Sequence, residues 1–262
     1  MDHTYWHRQT TKEPLFPDLL WSRPEHTKQA GKLLIIGGNA HGLSAPAAAF
    51  TEAEKAGIGT ARVLLPDSLQ KTVGKVFVAG EFAPSTPSGS FSKLALDEFL
   101  MSANWADGVL LAGDIGRNSE TAILLETFLT KYTGQLTITK DAADYFTASP
   151  GHILSRSETT LVISFAQLQK IASQAHFKSA FTFDMDFVRL VDTLHEFTEA
   201  HSVNIVIKHL ETMFVAVRGQ VSSTKLIEDM PIWRVKTATH CCVWWLQNPT
   251  KPFEALTTAL IQ

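Results

Sequence analysis

The chain has 262 residues, which is enough for one large α/β domain or two small ones. Hydrophobic residues make up 45% and charged residues 19%, as in an ordinary globular protein. The net charge of −3 and the pI near 6.4 lack the positive excess that nucleic acids and anionic membranes attract, so we predict neither as a partner.

The first 30 residues contain prolines and scattered aromatic residues, and they predict an extended arm (1–30) packed on a single domain (31–262). Apolar runs that end in glycine or proline alternate with helical patterns through that domain, which is typical of βαβ units and a parallel sheet. The predicted strands are Lys32–Gly38, Ala61–Pro66, Lys75–Gly80, Asp107–Gly113, Gln135–Lys140, Thr159–Ser164 and Asn204–Lys208. The predicted helices include Ser44–Gly57, Ser92–Ala103 and Asn118–Tyr132.

The segment Glu211–Thr224 breaks this alternation, and its Arg-Gly turn between two short runs predicts a β-hairpin near the sheet edge. The fold class is therefore α/β, with a doubly wound, mostly parallel sheet, helices on both faces and a small hairpin.

The N-terminus is polar and lacks the apolar core of a signal peptide, and no apolar run approaches the roughly 20 residues that span a bilayer. The two cysteines, Cys241 and Cys242, are adjacent, and a disulfide between neighbours is strained. We therefore expect a reduced, cytoplasmic protein.

The first candidate site is the loop Gly37–Pro46, which joins a strand to a helix. Its glycines permit close approach of a ligand, and the following helix N-terminus favours an anion. A tight strand-to-helix turn needs glycine as well, so the pattern alone leaves both interpretations open. Its spacing does not match the G-x-G-x-x-G fingerprint of dinucleotide-binding proteins.

The second candidate site is the loop Ala112–Glu120, which again follows a strand and precedes a helix. Ligands of doubly wound sheets bind beyond the carboxyl ends of the strands. Two glycine loops at neighbouring strand ends therefore favour one phosphate-bearing ligand shared between them.

The ordered series of segments from about Gly31 to Gln262 resembles the YjeF C-terminal-type domain of the ribokinase-like ADP/ATP-dependent NAD(P)H-hydrate dehydratases. The opening strand with GG and the Ala45–Pro46 pair match the start of that domain, and Gly113, Gly116 and Arg117 match its GPGLGR. Asp114 stands where the family has proline or glycine. Other matches are Asp141 with the second aspartate of DADAL, Lys208 with the lysine of LKG, and KPFEALTTAL with the final PFEAA helix.

The resemblance implies a divergent member that binds ATP or ADP, with Mg²⁺ as a further candidate cofactor. An active member would be a lyase that dehydrates NAD(P)H-hydrate, or a related small-molecule kinase, and a homo-oligomer is a further expectation. The candidate nucleotide- and substrate-binding residues are Gly37, Gly38, Asn39, Gly42, Ala45, Gly113, Asp114, Gly116, Asp141, Lys208 and Thr239.

The sequence departs from the family at its glycine-rich GGTGD motif, which forms an anion hole and supplies the base at the start of the penultimate helix. The corresponding segment here is Ala238–Asn248, which has neither glycine nor an acidic residue. In the register we favour, His240 to Val243 replace GGTG and Trp244 replaces the aspartate. His240 is a weak candidate base and otherwise a structural histidine.

These departures predict impaired phosphoryl transfer, and three functions stay open: a divergent dehydratase or kinase, a non-catalytic nucleotide-binding or protein-interaction descendant, and an unrelated doubly wound enzyme. Asp114 and Asp141 are candidates either for Mg²⁺ beside phosphates or for helix caps. The segment Pro84–Ser92 is either a lid or phosphate loop, or a set of turns.

Overall fold

The computed structural model describes residues 3–75, 77–225 and 233–261, and ten strands of these residues form one sheet. The strands are β1 (Trp6–Gln9), β2 (Lys32–Gly37), β3 (Thr60–Pro66), β4 (Gly80–Ala83), β5 (Gly108–Gly113), β6 (Gln135–Thr139), β7 (Thr159–Ile163), β8 (Asn204–His209), β9 (Thr212–Val217) and β10 (Gln220–Lys225). The helices are α1 (Pro17–Trp21), α2 (Ser44–Lys55), α3 (Gln70–Val73), α4 (Leu96–Trp105), α5 (Ser119–Lys131), α6 (Gly151–Leu154), α7 (Phe165–Gln174), α8 (Phe187–Ala200), α9 (Trp233–Gln247) and α10 (Pro252–Ala259).

The strand order is β1-β10-β9-β8-β7-β6-β5-β2-β3-β4. β9 runs antiparallel to both of its neighbours, β8 and β10, and the other paired strands are parallel. The sequence therefore predicted both the doubly wound, mostly parallel sheet and the hairpin, which β9 and β10 form.

Helices cover both faces of the sheet because successive strand residues point to opposite sides. Leu34 and Ile36 of β2 belong to one core together with α4, α5, α7 and α8, whereas Leu33 and Ile35 belong to a second core with α2, α9 and α10. Cys241 and Cys242 are buried free thiols in the second core. Within the described ranges, no helix has the length and apolar character needed to cross a bilayer.

The fourth strand lies further along the chain than the sequence predicted. The expected strand Lys75–Gly80 is wrong over its described residues, because the strand begins at Gly80, which pairs with Val63 of β3. Val78, an apolar residue of the expected strand, is 94% exposed. An apolar run indicates a strand only where the sheet provides a surface that buries it.

The N-terminal arm contributes a strand to the sheet edge. β1 pairs in parallel with β10, from Trp6 opposite Val221 to Gln9 opposite Thr224. Gln9 is buried, and its side-chain amide donates to the Thr224 hydroxyl at 2.9 Å and to the Thr257 carbonyl at 2.6 Å. The division into an arm and a domain at residue 31 stays a prediction.

The arm contacts predict a measurable stability effect. Replacing Gln9 with alanine removes both hydrogen bonds and leaves buried acceptors unsatisfied, so we expect the free energy of unfolding to fall by about 1–3 kcal/mol in urea denaturation. Lys12→Ala, at an exposed position in the same arm, is the control and should change stability by less than about 0.5 kcal/mol. Equal stability of Gln9→Ala and the parent chain would contradict the placement of β1 in the sheet.

Candidate functional site

The two glycine loops lie side by side at the carboxyl edge of the sheet. β2 and β5 are neighbours, Gly37 pairs with Gly113, and the Gly38 N–H donates to the Gly113 carbonyl at 3.1 Å. A Cβ atom on Gly37 would lie 2.5 Å from that carbonyl oxygen, so this close approach requires glycine. The loops therefore meet, as their positions after neighbouring strands predicted.

Asp114 joins the two loops through its side chain. One carboxylate oxygen, Oδ2, accepts hydrogen bonds from the Ala45 N–H at 2.7 Å and the Ser44 hydroxyl at 2.8 Å. The other, Oδ1, accepts one from the Lys140 ammonium at 2.6 Å. Because Ser44 and Ala45 open α2, a carboxylate of the chain itself lies where a helix N-terminus attracts an anion.

The same contacts control the ionisation of Asp114. Partial burial acts to raise the pKa of the carboxyl, but hydrogen bonds from Lys140, the Ala45 amide and Ser44 outweigh it and hold the pKa below its ordinary value. Asp114 is therefore ionised at neutral pH and fixes a negative charge between the loops.

Asp141 occupies backbone donors of the second loop. Its Oδ1 accepts the Asp114 N–H at 2.7 Å, and its Oδ2 accepts the Gly116 N–H at 3.1 Å. A Cβ atom on Gly113 would lie 2.8 Å from Oδ1 of Asp141, and Gly113 has a φ of 102°, so glycine is required here as well. The donors that the sequence pattern assigned to a phosphate are thus used within the chain.

The two aspartates are engaged within the chain, since each of the four oxygens of Asp114 and Asp141 accepts a hydrogen bond. Oδ1 of Asp114 is paired with the Lys140 ammonium, whose positive charge repels a cation beside it. A role of the two carboxylates as Mg²⁺ ligands beside phosphates stays a prediction. The part of the chain that the structure describes contains no group of three His, Cys, Asp or Glu side chains placed to hold a metal ion. The geometry favours the alternative interpretation of Asp114 as a cap, because it satisfies the first turn of α2.

The segment Pro84–Ser92 lies across both loops. The Gly89 carbonyl accepts the Ala40 N–H at 2.9 Å, and Ser88 Oγ accepts the side-chain amide of Asn118 at 3.0 Å. A third contact is the Ser68 hydroxyl, which donates to the Gly89 carbonyl at 3.1 Å. The segment is therefore hydrogen-bonded to both loops, and its role as a lid stays a prediction.

The proposed register required the segment Ala238–Asn248 to lie at the start of a helix. In the structure Ala238 lies inside α9, the segment runs to the end of that helix at Gln247, and Asn248 directly follows it. α9 is described from Trp233, so His240 lies about two turns further along the helix. Its last turn reaches the amino edge of the sheet, where the side-chain amide of Gln135, the first residue of β6, lies 3.5 Å from the Trp245 carbonyl.

The register that placed Trp244 over the family aspartate is therefore wrong. Trp244 is fully buried in the core at the amino edge, with the guanidinium of Arg23 4.8 Å from its ring centroid, and the glycine loops lie at the opposite edge. The residues that precede α9, 226–232, lie outside the described part of the chain.

His240 packs between α9 and α2 as a structural histidine. Its Nε2 lies 3.2 Å from Oε2 of Glu52, and its Nδ1 is buried without a hydrogen-bond partner among the described residues. Burial lowers the pKa of this imidazole, so it is neutral at neutral pH. A base buried between helices does not reach a ligand at the loops.

Two further predicted residues lie away from the loops. Thr239 is fully buried, and its hydroxyl donates to the Val235 carbonyl at 2.8 Å within α9. Lys208 lies in β8, which β7 and β6 separate from β5. Asn39 and Gly42 do lie at the site: the Asn39 side-chain amide donates to the Asp114 carbonyl at 2.5 Å, and Asn39 forms a bridge with Gly42.

Sequence reasoning missed the cation of the site, Lys140, because it counted this residue as the last of a strand. β6 ends at Thr139, and Lys140 has a φ of 53°, which turns it out of the strand. Like Asp114, it directly follows a strand at the carboxyl edge, and that position is the signal that would have paired the two residues.

Sequence reasoning also missed a cleft of about 280 Å³ beside Gly116, lined by residues of the second loop, the segment after β6 and α7. Arg117, Tyr145 and Lys170 lie in its wall. The Tyr145 hydroxyl donates to the Gly116 carbonyl at 2.8 Å and accepts the Asn118 N–H at 3.0 Å, so the cleft and the second loop are hydrogen-bonded together.

The architecture is shared with solved structures at low sequence identity. A ribokinase-like superfamily protein from Enterococcus faecalis superposes with a TM-score of 0.69 at 13% identity, covering 100% of this chain and 87% of that one. The ADP/ATP-dependent NAD(P)H-hydrate dehydratase from Bacillus subtilis, co-crystallised with ATP and Mg²⁺, gives 0.61 at 11% identity over 94% of this chain and 86% of that one. Phosphomethylpyrimidine kinase from Clostridium difficile gives 0.55 at 10% identity, covering 87% and 96%.

No protein-family model and no curated protein matches the sequence. At these identities the structural likeness shows the fold alone, and the chain has the ribokinase-like fold that the sequence resemblance predicted.

The contacts of Asp114 predict a pH-dependent stability. Asp114→Asn keeps a side chain that tolerates positive φ but removes the charge, so we expect a loss of about 2 kcal/mol in the free energy of unfolding at neutral pH. Because the folded-state pKa is depressed, the carboxylate stabilises the fold above its ordinary pKa of 3.8, and this contribution is lost as the pH falls through the lower folded-state value.

The measurement is urea unfolding of both proteins from about pH 7 to about pH 3. The stability difference should narrow towards the acid end, while the exposed Asp97→Asn control shows no such trend. A difference that is constant with pH would rule out an ionised Asp114 as its source.

Proposed function

We propose that this chain is a non-catalytic member of the ribokinase-like fold that binds a nucleotide or another phosphate-bearing small molecule at the carboxyl edge of its sheet. The observation that carries the non-catalytic assignment is the Asp114 carboxylate hydrogen-bonded to the first residues of α2. Ligand binding at this edge is supported by the meeting of the two loops and by the general position of ligand sites in doubly wound sheets.

Phosphoryl transfer depends on donors and cations that stabilise the charge of the transferring group. At this edge Asp114 and Asp141 take the backbone donors and add two negative charges, of which Lys140 offsets one. A unit charge about 4 Å from a like charge near a protein surface costs about 4 kcal/mol, or about a thousandfold in rate. The arrangement therefore opposes the transition state of this reaction.

The sequence supports the same conclusion in any register. No glycine follows Gly219, so neither α9 nor the segment before it contains a glycine-rich motif. A glycine-rich anion hole of the kind that the family resemblance implied has no counterpart in the last 43 residues of the 262-residue chain, the remainder after Gly219.

An active dehydratase or kinase is the competing function. It is favoured by the Bacillus subtilis neighbour of the same fold, which was co-crystallised with ATP and Mg²⁺. Turnover separates the two functions, because both include nucleotide binding.

The test combines a thermal-shift screen with an assay of released phosphate. ATP, ADP, AMP, NAD⁺ and NADPH are added with and without Mg²⁺, and ATP or ADP is then incubated with NADH-hydrate. A ligand at about a hundredfold excess over its Kd stabilises the folded chain by about 2.7 kcal/mol, so we expect a rise of several degrees in Tm for at least one phosphate-bearing ligand. We expect no phosphate release above the rate without protein.

Phosphate release that depends on both the chain and NADH-hydrate would contradict the non-catalytic assignment and favour the dehydratase. A Tm that none of the ligands changes would contradict the binding function itself.

A further inference from the structure

The cleft beside Gly116 is lined by two positively charged side chains, Arg117 and Lys170. Arg117 lies in the second glycine loop, and Lys170 lies on the exposed side of α7. Neither side chain has a hydrogen bond or an ion pair with any residue in the described ranges. Two cations that line one cavity without hydrogen-bonded partners attract an anion, and they do so here beside two carboxylates of the same wall, Asp141 and Asp144.

The other polar groups of the cleft are already hydrogen-bonded. Asp141 accepts two backbone N–H groups, and Oδ1 of Asp144 accepts the side-chain amide of Gln167 at 2.7 Å. Tyr145 is held on both sides by the second loop, and burial raises the pKa of its phenol, so it stays neutral and adds no negative charge. The wall is therefore preorganised, and Arg117 and Lys170 are its free donors.

We propose that this cleft binds a single phosphate group, with Arg117 and Lys170 as its ligands, and that the bound molecule is a small phosphate monoester or the monophosphate end of a nucleotide. The inference rests on the proposed binding function and assigns the anchoring site and the ligand class. The phosphate lies in the cleft and not on the α2 N-terminus, which Asp114 occupies.

Charge and size select one phosphate group over several. A phosphate monoester carries about −1.5 to −2 at neutral pH, and Arg117 and Lys170 together attract it against the repulsion of Asp141 and Asp144 in the same wall. A triphosphate adds negative charges that these carboxylates also repel and for which the cleft has no further cation. The volume of about 280 Å³ lies just below the range of roughly 300–1,000 Å³ for ligand pockets, which also favours a small molecule or one end of a larger one.

We expect Arg117 to orient the phosphate through directed hydrogen bonds and Lys170 to contribute mainly its positive charge. A guanidinium donates two parallel hydrogen bonds to a phosphate, whereas an ammonium acts as a point charge on a flexible stem. We therefore expect Arg117→Lys to weaken binding although it keeps the charge, and Lys170→Arg to retain it.

The experiment measures the dissociation constants of inorganic phosphate, ribose 5-phosphate, AMP and ATP by isothermal titration calorimetry. The proteins are the full chain, Arg117→Ala, Lys170→Ala and the double variant. The matched control is Lys178→Ala, at an exposed lysine beyond α7 that lies outside the cleft. We expect each single substitution to weaken ribose 5-phosphate and AMP by at least about tenfold, the double variant to abolish binding, and the control to be unchanged.

The comparison of ribose 5-phosphate with AMP distinguishes the two sources of the phosphate group. Tighter binding of ribose 5-phosphate than of AMP assigns a small phosphate ester, and the reverse assigns a nucleotide; ATP should not bind more tightly than AMP. Amide chemical-shift changes in the unsubstituted chain give a readout that does not depend on the folding of any variant. On addition of inorganic phosphate they should centre on Gly116, Tyr145 and Thr147.

Unchanged affinity in the double variant, or equal weakening by Lys178→Ala, would overturn the cleft assignment, as would amide changes centred away from the cleft. Those results would leave the proposed function standing if nucleotides still bind without turnover. ATP turnover would instead overturn the non-catalytic function and leave the cleft measurements valid.

Discussion

Backbone N–H groups at the carboxyl edge of a sheet need acceptors, and in this chain two aspartates provide them. Glycines at positions 37 and 113 let β2 and β5 end in close contact, which brings the start of α2 within reach of Asp114. Lys140 then neutralises that carboxylate. The positive φ angles of Asp114 (56°) and Lys140 (53°) are conformations that carry strain, and these contacts hold them in place.

The chain therefore combines the ribokinase-like fold with a carboxyl sheet edge at which aspartate side chains accept the backbone N–H groups. The fold is shared with a dehydratase and with kinases at 10–11% identity, and such a likeness fixes the path of the chain and not the reaction. In the family that the sequence resembles, proline or glycine stands at the position of Asp114. A carboxylate at that position places the chain's own anion on the start of α2.

Much of the fold could be predicted from the sequence because buried parallel strands are short apolar runs that glycine ends. The meeting of the two glycine loops followed from the rule for strand ends. The errors have physical causes: Val78 is apolar but exposed, so composition misplaced β4. The start of the helix α9 was predicted too far along the chain. A buried helix that is apolar on most sides gives no sequence signal for its first residue, so the register was taken from the match to the family motif. The Asp114–Lys140 pair was missed because Lys140 was counted as part of β6, whereas it follows the strand end next to that of β5.

The most direct test of this account is the affinity of Asp114→Gly for ATP, measured by calorimetry beside the unsubstituted chain. Glycine accepts the φ of this position without strain, frees the Ala45 N–H and the Ser44 hydroxyl, and removes a negative charge from the loops. The account predicts that ATP binds at least about tenfold more tightly to the variant. An affinity equal to or weaker than that of the unsubstituted chain would show that the Asp114 carboxylate does not occupy a phosphate position.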